Sequence, residues 1–296
     1  MQHPTSLCVV GLGELLWDLL PTGKQCGGAP ANFTYHAQAL GAEAWLVTRV
    51  GDDELGDELR QHVVALGLPD VYLTTDPDHP TGTVAVEIDG FGQPKYVIHE
   101  HVAWDFIPPR EDLAELALRA DAVCFGTLAQ RNAVSRTTIR DFLAATRNDC
   151  LRIFDVNLRQ RYYNMDTIAP SLAAATVVKL NEDEFAVFRK LLSISGDEPT
   201  ALGTMFRRFG LRLIVLTKGA GGAVLFGSEG LSVHPGLPSD VTDTIGAGDA
   251  FTAVVAVGLL RGWDLQTINA RANRLAAYVC SQPGATPPIP PSMVEP

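Results

Sequence analysis

Several things that would point to a function class are scarce or missing. The five cysteines, Cys8, Cys26, Cys124, Cys150 and Cys280, are scattered with no Cys-x-x-Cys pair. That spacing argues against a disulfide scaffold or a zinc site, and leaves them as small core residues. The seven histidines contain no His-Glu-x-x-His; His99 and His101 on one strand face would give two ligands, too few for a metal, so they read as solvated. Basic residues are outnumbered, 23 Lys and Arg against 34 Asp and Glu, for a net charge of −11. A nucleic-acid backbone is gripped by a basic surface, so no nucleic-acid partner is expected. No uncharged apolar run is long enough to span a bilayer. The stretch from Leu7 to Leu20 lacks a basic n-region and is broken by Glu14 and Asp18, which reads as a buried strand rather than a signal peptide. No membrane association and a cytoplasmic location are the expectations.

Two nucleotide motifs are also missing. Gly11-Leu12-Gly13 follows an apolar run, but position 16 is Leu and Pro21 soon follows, so the dinucleotide fingerprint fails. No Gly-x-x-x-x-Gly-Lys-Ser/Thr occurs, so a phosphate site must be built without a P-loop.

What is present is a 296-residue chain that is 46% hydrophobic, enough for a large core. Short β-branched or apolar runs at Leu7–Gly13, Ala44–Val50, Asp121–Phe125, Leu151–Val156, Thr176–Leu180 and Leu211–Thr217 read as strands, with helix-period segments between most of them. Pro30 and Gly41 frame one helix; Asp53 before Glu54 to Leu66, then Gly67, frames another. This alternation predicts a single α/β domain over residues 1–296, a doubly wound, mainly parallel sheet flanked by helices, with ligands beyond the carboxyl ends of the strands. Thr81–Asp89 and Lys95–His99 break the rhythm and read as an antiparallel hairpin around the turn-rich Asp89-Gly90-Phe91-Gly92-Gln93-Pro94. The segment from Pro283 to Pro291 should run extended over the surface.

The chemistry concentrates near the C-terminus. Asp243-Thr244-Ile245-Gly246-Ala247-Gly248-Asp249-Ala250-Phe251 places two glycine steps and an acid at the head of an apolar run. Glycines free backbone N–H groups and a helix N-terminus adds partial positive charge, so a phosphoryl group is the natural guest. Asp249 would repel that guest unless it faces a second substrate, a hydroxyl that loses its proton during attack. The plain alternative is a helix cap over a tight turn. Upstream, Asp18 and Gly27-Gly28-Ala29-Pro30-Ala31-Asn32 supply a carboxylate, an amide and a close backbone approach, all suited to a polyol; a loop and a capped helix would also account for the glycines.

The C-terminal motif resembles the second signature of the ribokinase-like (PfkB) carbohydrate kinases. The stretch from Gly27 through Gly41 to Thr48-Arg49-Val50-Gly51-Asp52-Asp53-Glu54-Leu55-Gly56 resembles the first. The resemblance implies a ribokinase-like fold with a small β lid, from about residues 14–26 and 81–104, closing over a sugar. It implies ATP and Mg²⁺ as cofactors, Asp249 as base and Gly246, Ala247 and Gly248 as anion hole. Asp18, Gly27, Gly28 and Asn32 would bind the sugar, with Arg159 of Asp155-Val156-Asn157-Leu158-Arg159, which either meets a substrate oxygen or anchors a loop. Asn181-Glu182-Asp183-Glu184 matches the Asn-x-x-Glu that organises Mg²⁺, Glu184 acting through water; Asn181 is equally placed to cap a helix. Thr217, Gly219 and Gly221 resemble the nucleotide-binding turn, whose Lys218 reads as a surface lysine, and Asn273 falls beside adenine. Asp243, the Ile245 carbonyl and Gly284 would hold a monovalent cation such as K⁺. Among relatives the chain looks most like the fructokinases. Kinases of 2-keto-3-deoxygluconate, ribose or nucleosides share the framework, and a catalytically silent sugar sensor is the reading from another class. Trp104 and Phe106 either close on a sugar ring or pack the lid hinge, and an exposed lid face implies a homodimer.

Overall fold

The computed structural model describes residues 6–21, 23–88 and 94–294; most of the expected turn at Asp89–Pro94, residues 89–93, lies outside the described residues. In chain order the elements are β1 (Cys8–Leu12), β2 (Leu16–Leu20), β3 (Gly23–Gly27), α1 (Ala29–Ala39), β4 (Glu43–Gly51), α2 (Glu54–Ala65), β5 (Leu73–Asp76), β6 (Thr83–Ile88) and β7 (Pro94–Ile98). There follow α3 (Glu111–Arg119), β8 (Ala122–Phe125), α4 (Ala133–Ala145), β9 (Leu151–Asp155), α5 (Met165–Ala174), β10 (Val177–Asn181), α6 (Glu182–Leu191) and α7 (Glu198–Phe209). The last are β11 (Leu213–Thr217), β12 (Ala223–Gly227), β13 (Gly230–His234), α8 (Ala247–Leu260), α9 (Leu265–Cys280) and α10 (Pro291–Val294).

A nine-stranded sheet runs β13-β12-β11-β10-β9-β8-β1-β4-β5, parallel from β11 to β5 with β12 and β13 antiparallel at one edge. β1, the apolar Cys-Val-Val-Gly-Leu run, is buried along its whole length, as a central parallel strand covered on both faces must be. Alternation then divides the core. Val9 belongs to one buried cluster with Ala37, Leu40, Val254 and Leu275 on one face, whereas Val10 belongs to another with Leu116, Ile139 and Phe188 on the other. Helices on both faces follow from that pattern, and the strand order reverses between β1 and β8, the position where such sheets bind ligands.

The apolar stretch from Leu7 to Leu20 is two strands rather than one. β1 joins the large sheet and β2 a separate four-stranded sheet, β3-β2-β6-β7. Glu14 and Asp18 explain the break, since the first cannot continue a fully apolar strand and the second needs a less enclosed face. The hairpin β6–β7 is antiparallel as expected, but β6 pairs in parallel with β2. Asp53 caps α2 through Gly56 N (2.8 Å) and also accepts from Thr81 N (2.8 Å), so one carboxylate ties α2 to the chain leading into β6. At the base of the small sheet the Arg131 guanidinium grips Asp105 at 2.7 and 2.8 Å and lies 4.1 Å over Trp104, while Phe106 stacks on His79 at 3.6 Å. Both aromatics are therefore held against neighbouring side chains. His99 and His101 both fall after β7, so neither lies on a strand face.

The C-terminal tail bends through residues 282–285, with Gly284 at φ 76°, before the irregular stretch to Pro290, and Pro291 opens the short α10. Tyr35 and Tyr278 hydroxyls donate to the Pro287 and Pro288 carbonyls (2.8 and 2.7 Å) and hold it down. No helix among the described residues is long and apolar enough to cross a membrane.

Candidate active site

The start of α8 is built from backbone. Gly246 sits in the left-handed region (φ 78°) with no side chain capping the helix, and a Cβ there would lie 2.6 to 2.7 Å from Ala285. Glycine is required both for its φ and for its lack of bulk. The first N–H groups of α8 are thus left to meet an anion. From Ala250 to Gly258 every residue is buried, so the helix has little freedom to shift its open end.

Asp249 lies in that first turn, half-buried. Asn32 of α1, itself buried, donates from Nδ2 to Asp249 Oδ2 at 2.8 Å. Burial first, then the neighbouring Asp155 carboxylate, push Asp249 up to about 7, against the pull of Lys179, the Asn32 hydrogen bond and Arg159. An acid balanced near neutrality, with one oxygen held, is suited to accept a proton from a substrate hydroxyl.

Around it the expected acceptor-side residues gather. Asp18 on β2 faces Gly27 of the neighbouring strand, where a Cβ would come within 2.6 Å of its Oδ2. Gly28 has φ 116°, and a Cβ there would meet the Glu14 carbonyl at 2.4 Å. Burial raises the Asp18 carboxyl, Arg159 opposes the rise and Asp243 adds to it. Arg159 is exposed, and among the described residues its guanidinium makes no hydrogen bond or ion pair. It is nonetheless close enough to stabilise charge on Glu14, Asp18 and Asp249. An arginine that serves three acids and is bound to none is available to a ligand.

At the ends of β10 and β11, Asn181 and Thr217 stand side by side in register. Asn181 caps α6: its Oδ1 accepts from Glu184 N (2.9 Å), and Glu184 Oε2 accepts from Asn181 N (2.8 Å). Glu184 Oε1 accepts from Leu158 N (2.8 Å), in the loop that Asn157 turns with φ 39°. Both carboxylate oxygens of the buried Glu184 therefore hold backbone, which fits contact with Mg²⁺ through water better than direct ligation. Gly219 and Gly221 form an open 3₁₀ turn, and Lys218 pairs with Glu198 at 2.7 Å. Asn273, expected beside adenine, has its amide nitrogen engaged within the fold. It is buried in α9, and its Nδ2 donates to the Asn269 carbonyl and side-chain oxygens (2.9 and 2.8 Å) within the packing against β12 and β13. Asp243 draws two loops together, accepting from Ile245 N (3.0 Å) and Gly284 N (3.3 Å). This brings all three residues expected at a cation site to one place.

Three groups were given no role in the sequence motifs. Glu14 is buried with Oε2 unpartnered; burial raises its carboxyl, opposed by its own backbone N–H and by Arg159 and Arg131. Lys179 and Asp155 form a buried ion pair at 3.0 Å beneath α8. A charge inside an apolar run was the available signal: Glu14 interrupts Leu7 to Leu20, and Lys179 interrupts Val177 to Leu180.

Residues 21–292 match the pfkB family carbohydrate kinase domain. The chain belongs to that family. It is thus a phosphotransferase with an alcohol acceptor, on a ribokinase-like fold. A fructokinase of Klebsiella pneumoniae is 33% identical over 84% of this chain and 83% of its own length. A sugar kinase of Pyrococcus horikoshii, solved in complex with ATP, superposes with a TM-score of 0.78 at 26% identity over 95% of this chain and 94% of that one. The aminoimidazole riboside kinase of Salmonella enterica, solved with aminoimidazole riboside and an ATP analog, gives the same TM-score of 0.78 at 26% identity over 96% of both chains. Within this carbohydrate kinase, the open start of α8 and the acid beside it are where the chemistry is to be sought.

Proposed function

We propose that this kinase transfers the γ-phosphoryl group of ATP to a hydroxyl of fructose, with Asp249 as general base. The observation that supports this most is Asp249 itself, raised to about 7 and held by Asn32 at 2.8 Å beside the uncapped start of α8. In this reading Asp18, Arg159, Gly27 and Gly28 hold the sugar and Asn32 orients the base. Asp249 takes the hydroxyl proton as the oxygen attacks the γ-phosphorus in line, and the Gly246, Ala247 and Gly248 N–H groups receive the developing charge. Asn181, Thr217, Gly219 and Gly221 form the nucleotide side, with Asn273 beside adenine. Bound Mg²⁺ supplies charge neutralisation on the phosphates, and Glu184 would hold it through water. Asp243, the Ile245 carbonyl and Gly284 would hold K⁺ beside α8. The four-stranded sheet acts as a lid that excludes water, its outer face serving a homodimer.

Fructose rests on the 33% identical fructokinase and on Asp18-Leu19-Leu20-Pro21 with Gly27–Asn32. The riboside kinase superposing at TM-score 0.78 favours a riboside as the second reading. ADP release measured with fructose, ribose, 2-keto-3-deoxygluconate, aminoimidazole riboside and nucleosides decides between them. Turnover is expected with fructose; a riboside preferred in kcat/KM would replace it, and binding without ADP release would mean a sensor.

A further inference from the structure

We propose that Lys179 is the charged floor of the anion hole, a positioning residue that balances the Asp155 and Asp249 carboxylates and lends positive charge to the transferring phosphoryl group from beneath the start of α8. This rests on the reading of Asp249 as the base. Lys179 lies within β10 with its side chain 11% exposed, and Nζ donates to Asp155 Oδ1 at 3.0 Å. Asp155 Oδ2 lies 2.9 Å from Thr252 Oγ1, which is also 2.9 Å from the Gly248 carbonyl. The chain Lys179–Asp155–Thr252–Gly248 thus joins two strands of the sheet to the first turn of α8. A Cβ on Gly248 would come within 3.0 Å of Lys179 Nζ. Nothing but backbone therefore separates the ammonium from the anion hole, and any side chain at 248 would displace it.

A plain structural ion pair is a poor account of this arrangement. Buried pairs add little stability unless their charges match, and here one ammonium answers Asp155, Asp249 and Glu184 together. Asp249 is faced by Asp155 on β9, Lys179 on β10, Arg159 from the loop after β9 and Asn32 on α1. The Cys124 thiol on β8, raised well above its usual range chiefly by burial, stays neutral. Without Lys179, Asp249 would face Asp155 with only the Asn32 hydrogen bond and Arg159 in compensation. The cluster is short of positive charge as it stands, and phosphates would deepen the deficit. A cation fixed below the hole, where it cannot move toward bulk water, is the remedy this geometry supplies.

The test is the pH profile of kcat/KM for Lys179→Met, alone and with Asp155→Asn. The single variant should move the acid limb up by about one unit or more and lower kcat about 10²-fold at pH 7, with the sugar KM within about threefold. The double variant should return the limb toward the parent position while kcat stays low, because the cation is still missing. A single variant whose melting temperature falls while the limb stays in place would overturn the proposal. Should the single variant not fold, a folded double variant with parental kcat would overturn it equally. Asp249→Asn keeps the two readings apart: undiminished turnover there defeats the base assignment, whereas its loss with an unmoved Lys179→Met limb defeats only this inference.

Discussion

The two ends of the proposed site are made of different material. On the acceptor side the protein commits charged side chains: Asp18, Arg159 and Asp249, above the buried Lys179–Asp155 pair. On the nucleotide side it offers backbone. Gly219 and Gly221 turn in the open, Asn181 is occupied in capping, and Lys218 is paired with Glu198. A phosphate carries its own charge, so amide groups and a metal suffice even in a chain of net charge −11. A neutral hydroxyl must be made nucleophilic by a base whose pKa is tuned, and such tuning needs several charges at low dielectric. The acceptor end should therefore be sensitive to single atoms and to pH, and the nucleotide end tolerant.

The largest expected effect is at Asp249. Asp249→Asn should lower kcat by about 10² to 10⁴ while changing the sugar KM far less, as steady-state kinetics would record. The same variant sharpens the comparison through stability. A carboxyl raised from 3.8 to about 7 on folding contributes stability that is full below its unfolded pKa and is lost as pH rises through about 7. Melting temperatures should therefore favour Asp249→Asn over the parent, by a margin that grows from pH 5 to pH 8; a margin that shrinks would contradict the environment described for Asp249.

Next comes the pH dependence of the parent. If Asp249 must be ionised to act, kcat/KM should fall about tenfold per unit below pH 7, and a flat profile between pH 5 and 8 would remove the acid from the rate-determining chemistry. The smallest effect belongs to the nucleotide turn. A Cβ on Gly219 meets nothing within 4 Å, although its φ of 53° disfavours other residues. Gly219→Ala should raise the ATP KM only about two- to fivefold and leave kcat nearly unchanged; a loss as large as that at Asp249 would erase the contrast between the two ends.

Much of the fold was legible because period-2 and period-3.6 patterns act locally. β1, β4 and β8 to β11 fall within about two residues of the apolar runs, and Asp53 caps α2 as its position suggested. The residues of the acceptor site were legible only as pieces. Asn32 and Asp249 each stood in a motif, but their 2.8 Å bond spans 217 residues of chain. Glu14 was noted only as an interruption, Lys179 not at all, because a lone charge in an apolar run does not say what it faces. The engagement of the Asn273 amide was hidden for the same reason, since it depends on Asn269 and on strands far away in sequence.

By itself the sequence determined a mainly parallel α/β chain, a glycine-built helix start with an acid inside it, and the absence of a P-loop, because φ preference, alternation and composition are properties of neighbouring residues. Tertiary structure alone decided that Leu7 to Leu20 divides between two sheets, that Trp104 packs under Arg131 and Phe106 on His79, and that Asp249, Asp155 and Lys179 share one buried space. Those outcomes depend on desolvation and on distances between charges, which exist only once the chain has closed on itself.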